Sequence, residues 1–293
     1  MDMGDRRLRF ANYRWSSRKA VQLRKIVTWA LSSWLALMMI VEPEPYASAP
    51  TVACDATSGR ITRVVVSSAV YKADVPVSVY VPPCYDQTPA AFPVIYLLHG
   101  GNTDETQWPD LNVQPEADAL IKGGAAPFIV VMPGGEYRAG LDYGAFVLDD
   151  LLPAIESQFR VKANSADRAI GGISLGGYWA LKLAFSHPQL FAAVGAYSPV
   201  VDLGQPNDPL GLARSADGLQ GLRIMLDVGD ADALRAGTQS LAQLLQARDI
   251  QFSFTVKPGE HNRPYWRTRT ADYLRFDVNA FEVSHCDGRF HLH

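Results

Sequence analysis

Ala169-Ile170-Gly171-Gly172-Ile173-Ser174-Leu175-Gly176-Gly177-Tyr178 sets a serine between two glycines in the pattern G-x-S-x-G. An apolar run precedes it, and a helix-forming run, Tyr178-Trp179-Ala180-Leu181-Lys182-Leu183-Ala184-Phe185, follows. Strand, sharp turn and helix in that order are the setting of a nucleophile elbow, with the serine at the tip in a strained backbone conformation. Side chains two residues before and two after the serine would collide with the turn, so both places need glycine. The hydroxyl is then exposed at a helix N-terminus, where backbone N–H groups stabilise negative charge. G-x-S-x-G alone also describes an ordinary glycine turn, so the surroundings of Ser174 carry the weight.

Working outward, residues 61–70 and 75–81 are valine-rich and read as an antiparallel strand pair closed near Lys72-Ala73-Asp74. Residues 92–98 form a nearly continuous apolar run ending in His99-Gly100-Gly101, a buried strand feeding a glycine loop. Further strands are predicted at 128–132, 168–171, 191–197, 222–228 and 251–256, and helices at 115–122, 145–159, 178–186, 233–247 and 269–281. Strands alternating with helices give an α/β fold: a mostly parallel central sheet with helices on both faces. Residues 201–221 show no clear element and read as a loop over the rim, too short for a large lid domain. Ligands in such sheets sit at the carboxyl ends of the strands. His99-Gly100, Ser174, Asp227 to Asp232 and His261 all lie at or just past a strand end.

A serine hydroxyl needs a base to take its proton, and after an elbow of this kind the order is serine, acid, histidine. His187 ends the elbow helix before any acid and suits a helix C-terminus. His261, in Lys257-Pro258-Gly259-Glu260-His261-Asn262, directly follows the last strand, whereas His285, His291 and His293 belong to the tail. His261 is therefore the candidate base. The acid must follow the preceding strand, which leaves Asp227, Asp230 and Asp232. Asp232, beyond the Gly229 turn, is favoured, with Asp230 read as the cap of the following helix and Asp227 as the runner-up. An oxyanion hole needs two backbone N–H donors. Leu175 supplies one, and Gly101, or alternatively Gly100, the other. Trp108, Tyr143, Tyr178 and Tyr197 are candidate pocket walls, although buried aromatics more often belong to the core.

These motifs resemble the esterase D group of α/β-hydrolases. The likeness rests on Tyr96-Leu97-Leu98-His99-Gly100-Gly101, Trp108, Asp150-Leu151-Leu152-Pro153, Arg168 to Gly177, His187-Pro188, Asp227 to Asp232, and Pro258-Gly259-Glu260-His261 with Trp266, all in order over residues 61 to 282. The resemblance implies an α/β-hydrolase fold, an acid at the end of a G-x-x-D unit (Gly229 to Asp232) and a base in the glycine-x-His loop at His261. It departs at Leu175, where the family often carries methionine. The group includes feruloyl and acetylxylan esterases, formylglutathione hydrolase, siderophore esterases and mycolyltransferases.

The chain has 293 residues, 48% hydrophobic and 19% charged, ordinary for a globular enzyme. Residues 1–25 carry a net charge of +6, against −3 for the whole chain. The body is therefore acidic, which argues against nucleic acid as a partner. Ile26 to Val41 is uncharged and apolar, short for a membrane span, and followed by Ala47-Ser48-Ala49. It reads as a secretory signal, or as a membrane anchor if left uncleaved, although Pro50 is unfavourable after a cleavage point. The organisation expected is a basic region and signal over 1–49, a linker over 50–60, a catalytic domain over 61–282 and a tail over 283–293. Antiparallel pairing of the first two strands would bring Cys54 and Cys84 together and leave Cys286 over; a Cys54–Cys84 disulfide and three free thiols stay open. No spacing resembles a metal site, and no cofactor is called for. The expectation is an exported serine carboxylic ester hydrolase acting on a small-molecule or carbohydrate-linked ester. The alternatives are an acyltransferase using the same acyl-enzyme with a sugar or alcohol acceptor, and a catalytically inactive binding module, which usually lacks a triad residue type.

Overall fold

Eight strands make one sheet in the order β1-β2-β4-β3-β5-β6-β7-β8. The structure is a computed structural model that describes residues 54–138 and 140–287. The basic and apolar segments before residue 50, and His291 and His293 of the tail, lie outside the described residues. β1 (Arg60–Ser68) and β2 (Ala73–Val81) form the valine-rich antiparallel pair, and β2 runs antiparallel to β4 (Ile129–Pro133). From β4 onward, β3 (Val94–Leu98), β5 (Arg168–Ile173), β6 (Ala193–Tyr197), β7 (Arg223–Gly229) and β8 (Phe252–Lys257) are all parallel. Their carboxyl ends therefore share one rim.

Side chains alternate across a strand, and the core divides accordingly. Val94, Tyr96 and Leu98 of β3 face one apolar layer, Ile95 and Leu97 the other. The first layer is closed by α4 (Leu152–Gln158), α5 (Leu175–Ser186), α6 (Pro209–Ser215) and α7 (Arg235–Ala247). The second is closed by α1 (Gln107–Asp110), α2 (Val113–Lys122) and α8 (Arg263–Asp287). Both faces being covered explains why the central strands read as continuous apolar runs rather than alternating ones.

Three elements differ from expectation. The single helix predicted over 145–159 is α3 (Tyr143–Ala145), a π-helical turn (Phe146–Leu151) and then α4. Pro153 stands in the first turn of α4 and has no N–H to give to the turn before it, so a regular ladder cannot run through. The segment 201–221 read as loop contains α6, entered through Pro209 at its first turn. Its seven residues are too few to show a helical period. α8 starts at Arg263, six residues earlier than expected, with Pro264 in its first turn.

Candidate active site

Ser174 sits between β5 and α5 with φ 57° and ψ −115°, a conformation costly for any residue with a side chain. Three backbone hydrogen bonds hold it there. Its N–H donates to the Tyr197 carbonyl at 3.0 Å, and its own carbonyl accepts from Tyr178 N at 3.0 Å and Val200 N at 3.2 Å. The flanking glycines are required sterically. A Cβ on Gly172 would lie 2.3 Å from the Gly176 carbonyl carbon, and one on Gly176 would lie 2.4 Å from the carbonyl oxygens of Leu98 and His99.

His261 comes off the loop between β8 and α8. Its Nε2 lies 3.1 Å from Ser174 Oγ, and its Nδ1 lies 2.9 Å and 3.2 Å from the two carboxylate oxygens of Asp232. The Asp232 side chain is fully buried, whereas that of His261 is 34% exposed. The Trp266 ring stands edge-on to the imidazole at 5.0 Å, and its Nε1 donates to Ser198 Oγ at 3.1 Å. The loops that carry Asp232 and His261 are stitched together by Asp230 N to Lys257 O at 2.8 Å and Ala231 N to Gly259 O at 2.9 Å.

The other two aspartates have other work. Asp230 was expected to cap the following helix. Instead its Oδ1 accepts the N–H of Gly259 at 3.0 Å, because the pairing of β7 with β8 brings the base loop alongside it. The capping-type bond is made by Asp232, whose Oδ1 accepts the N–H of Leu234 at 2.8 Å. Asp227 is buried and accepts from the hydroxyls of Tyr265 and Tyr273 at 2.9 Å and 2.7 Å and from Arg269 at 3.3 Å. Burial pushes its carboxyl above the ordinary value, with those donors pulling the other way. His187 follows α5 at the end remote from Ser174.

Leu175 is the first residue of α5, and Gly101 is its neighbour: a Cβ on Gly101 would lie 3.0 Å from Leu175 Cδ1. Gly100 is different, because its N–H already donates to Gln107 Oε1 at 2.6 Å.

A cleft of about 650 Å³ opens beside Leu175, lined by Tyr178, Trp179, Tyr137, Leu141, Leu203 and Pro206 together with Arg138, Asp142, Lys182 and Gln205. Of the four aromatics expected as walls, Tyr178 alone lines it. Trp108, Tyr143 and Tyr197 are core residues with at most 1% exposure. Trp108 donates to the Leu98 carbonyl at 3.1 Å, Tyr197 stacks on Tyr273 at 3.6 Å, and Tyr143 is enclosed by Tyr137, Phe146 and Trp179. The wall residues not anticipated include Trp179 and Lys182. Leu175, Tyr178, Trp179 and Lys182 stand at i, i+3, i+4 and i+7, a single helical stripe that was readable from spacing. Above them, Asp208 accepts the Tyr178 hydroxyl and the N–H groups of Leu203 and Gln205, both at 2.8 Å, fastening the 203–208 loop over the cleft.

Cys54 and Cys84 are joined as a disulfide, and the side chain of Cys286 lies outside the described residues. Among the described residues no group of His, Cys, Asp and Glu could hold a metal ion, and no helix is long and apolar enough to cross a membrane.

Residues 68–276 match the family described as "Putative esterase". The chain is 30% identical over 161 residues to an endo-1,4-beta-xylanase/feruloyl esterase of Xylanibacter ruminicola, covering 44% of this chain and 22% of that protein. It is 32% identical over 133 residues to an esterase of Mycobacterium tuberculosis, covering 42% and 28%. The aligned stretches thus span about a quarter of these curated relatives. A solved ferulic acid esterase superposes with a TM-score of 0.72 at 25% identity, covering 76% of this chain and 99% of the other. The S-formylglutathione hydrolase of Staphylococcus aureus does so with 0.64 at 19% identity, covering 75% and 99%, a likeness of fold alone. The fold is that of the α/β-hydrolase esterases.

Proposed function

Because this chain belongs to the esterase family matched over residues 68–276, we propose that it hydrolyses carboxylic esters through an acyl-enzyme formed on Ser174. The observation that carries the reading is the unbroken chain Asp232–His261–Ser174, with links of 2.9 Å and 3.1 Å, ending at the tip of the strand–helix turn. His261 takes the Ser174 proton as Oγ attacks the ester carbonyl, and later gives it to the leaving alcohol. Asp232 accepts the Nδ1–H, fixes the tautomer and stabilises the imidazolium. The N–H groups of Leu175 and Gly101 receive the oxyanion. Water, activated by the same histidine, then releases the acid.

The cleft beside Leu175 has the size and aromatic lining for one half of a small-molecule or carbohydrate-linked ester. Feruloyl esters lead the substrate panel because two of the relatives bear that activity in their names. The protein works outside the cytoplasm. The basic and then apolar start supports this, as does the Cys54–Cys84 bond, which persists in oxidising compartments.

The test is a panel of nitrophenyl esters of rising chain length plus a feruloyl ester, with an organophosphonate as serine label. Wild type should hydrolyse at least one ester and carry one phosphonate on Ser174. Ser174→Ala should lose several orders of magnitude in turnover and take up no label. Wild-type turnover by that variant would refute the assignment. Added acceptor alcohol that diverted the acyl group from water would mark transfer rather than hydrolysis.

A further inference from the structure

The carbonyl of Gly100 and the N–H of Gly101 belong to one peptide unit. That unit is planar and trans, so the two groups point in opposite directions. Whatever grips the Gly100 oxygen therefore aims the Gly101 N–H the other way, and polarises it as a donor. Two side chains converge on that oxygen: His99 Nδ1 at 2.7 Å and Thr103 Oγ1 at 2.8 Å. On the other side of residue 100, its N–H is held by Gln107 Oε1 at 2.6 Å. The Gly101 N–H, in contrast, has no acceptor among the described residues and lies next to Leu175.

The second nitrogen of His99 reaches across to the loop that follows β4, where Nε2 lies 2.8 Å from the Gly135 carbonyl. Two residues on, the Tyr137 hydroxyl donates to the His99 carbonyl at 2.6 Å, and its ring packs against the imidazole at 4.7 Å, tilted by 35°. The ring of His99 is buried, and that burial lowers its affinity for a second proton. A neutral imidazole has one N–H to give. It can grip Gly100 or Gly135, not both at once. With the proton on Nδ1, the tautomer that the orienting role requires, it grips Gly100, and Thr103 is the second donor on that oxygen.

We infer that His99 and Thr103 are positioning residues: they orient the Gly100–Gly101 peptide so that the Gly101 N–H meets the oxyanion formed when Ser174 attacks. The inference rests on the reading of Ser174 as nucleophile. Neither side chain touches the reacting atoms, so neither is itself catalytic. Each acts through the peptide it holds.

The experiment uses the full chain and three variants. Thr103→Val exchanges the hydroxyl for a methyl group and so removes its bond to Gly100, along with its longer 3.1 Å contact to Gln107 Oε1. His99→Gln keeps an amide nitrogen in the reach of Nε2, toward Gly135, and gives up the bond to Gly100. His99→Asn keeps one in the reach of Nδ1, toward Gly100. Thr103→Val and His99→Gln should each lower kcat roughly tenfold with KM unchanged, less than the two to three orders of magnitude that loss of an oxyanion donor itself costs. His99→Asn should recover most of the kcat lost in His99→Gln. Affinity for a phenylboronic acid, whose serine adduct places an oxygen where the oxyanion forms, should weaken in step with kcat. The inference fails if folded Thr103→Val and His99→Gln keep wild-type kcat, if only KM moves, or if Asn is no better than Gln. Should the His99 variants not fold, Thr103→Val decides alone. Phosphonate labelling of Ser174 in wild type separates the two levels: no label sinks the nucleophile reading, whereas a label with unchanged kcat in the variants sinks only this one.

Discussion

Asp232 does two jobs at the residue scale, accepting His261 Nδ1 and the N–H of Leu234. Its substitution therefore has two readouts of different size. Asp232→Asn offers the imidazole an amide that stabilises the wrong tautomer, and kcat should fall by roughly three to four orders of magnitude. The amide oxygen still accepts the Leu234 N–H, so stability should change by about 1 kcal/mol or less. Asp227→Asn should show the reverse pattern. It weakens a buried acceptor for Tyr265, Tyr273 and Arg269, so stability should drop by about 1–3 kcal/mol, while kcat of the folded fraction stays within a small factor. Paired kcat and thermal-unfolding measurements separate the two. A stable, inactive Asp227→Asn beside an active Asp232→Asn would reverse the assignment. Of the proposed roles, those of the serine and histidine are legible in the sequence because strand-end position and chain order single them out. For the acid, the place beyond Gly229 favours Asp232, but less sharply, because Asp227, Asp230 and Asp232 share a strand end and a polar turn.

At the scale of elements, two features set stability. The Cys54–Cys84 bond ties the segment before β1 to the turn after β2, closing 30 residues of sequence separation. Removing it with a Cys54→Ser, Cys84→Ser pair should cost roughly 3–4 kcal/mol on the chain-entropy account. The midpoint of urea unfolding should fall accordingly, and an unchanged midpoint would show that the bond constrains nothing. The second feature is in α8. Asp277 is fully buried, and neither carboxylate oxygen has a hydrogen-bond partner among the described residues. Burial alone raises its pKa well above the usual carboxylate range. The sign follows from linkage. Above the unfolded value of about 3.9, the unfolded chain releases the proton that the folded chain keeps, so stability falls as pH rises toward the raised folded value. Asp277→Asn removes that titration. Its unfolding temperature should gain on wild type steadily between pH 4 and pH 8, and a constant difference across that range would contradict the account. Nothing in the sequence marks Asp277, which reads as one polar residue on the closing helix. The break at Pro153 was visible as a residue, but the π turn it accompanies depends on how the preceding turn packs.

For the whole molecule, charge and compartment belong together. A net +6 in residues 1–25 stands before an acidic remainder, with an apolar run between them. Mass analysis of the native protein should find the chain beginning near residue 50. A full-length chain in the cytoplasm would overturn export, and one in the membrane would favour an anchor. The rim that carries the candidate site is a product of sheet order. Six consecutive parallel strands put the ends of β3, β5, β7 and β8 on one side, so segments more than 150 residues apart in sequence meet there.

By itself the sequence determined what local sterics and periodicity control. Gly172 and Gly176 around Ser174 announce the elbow, because no other residue fits a turn that brings backbone within 2.4 Å of a Cβ. Alternating strands and helices announce the layers. The tertiary structure alone decided questions that local pattern leaves degenerate. The parallel pairing of β7 with β8 sets Gly229 against Lys257 and so delivers Asp232, rather than its two neighbours, to His261. Gln107, arriving from α1, takes the N–H of Gly100 and leaves that of Gly101. Trp108, Tyr143 and Tyr197 went to the core, and Trp179 with Lys182 to the cleft. Whether an aromatic side chain meets solvent or core depends on what packs against it from elsewhere in the chain, and no window of sequence contains that information.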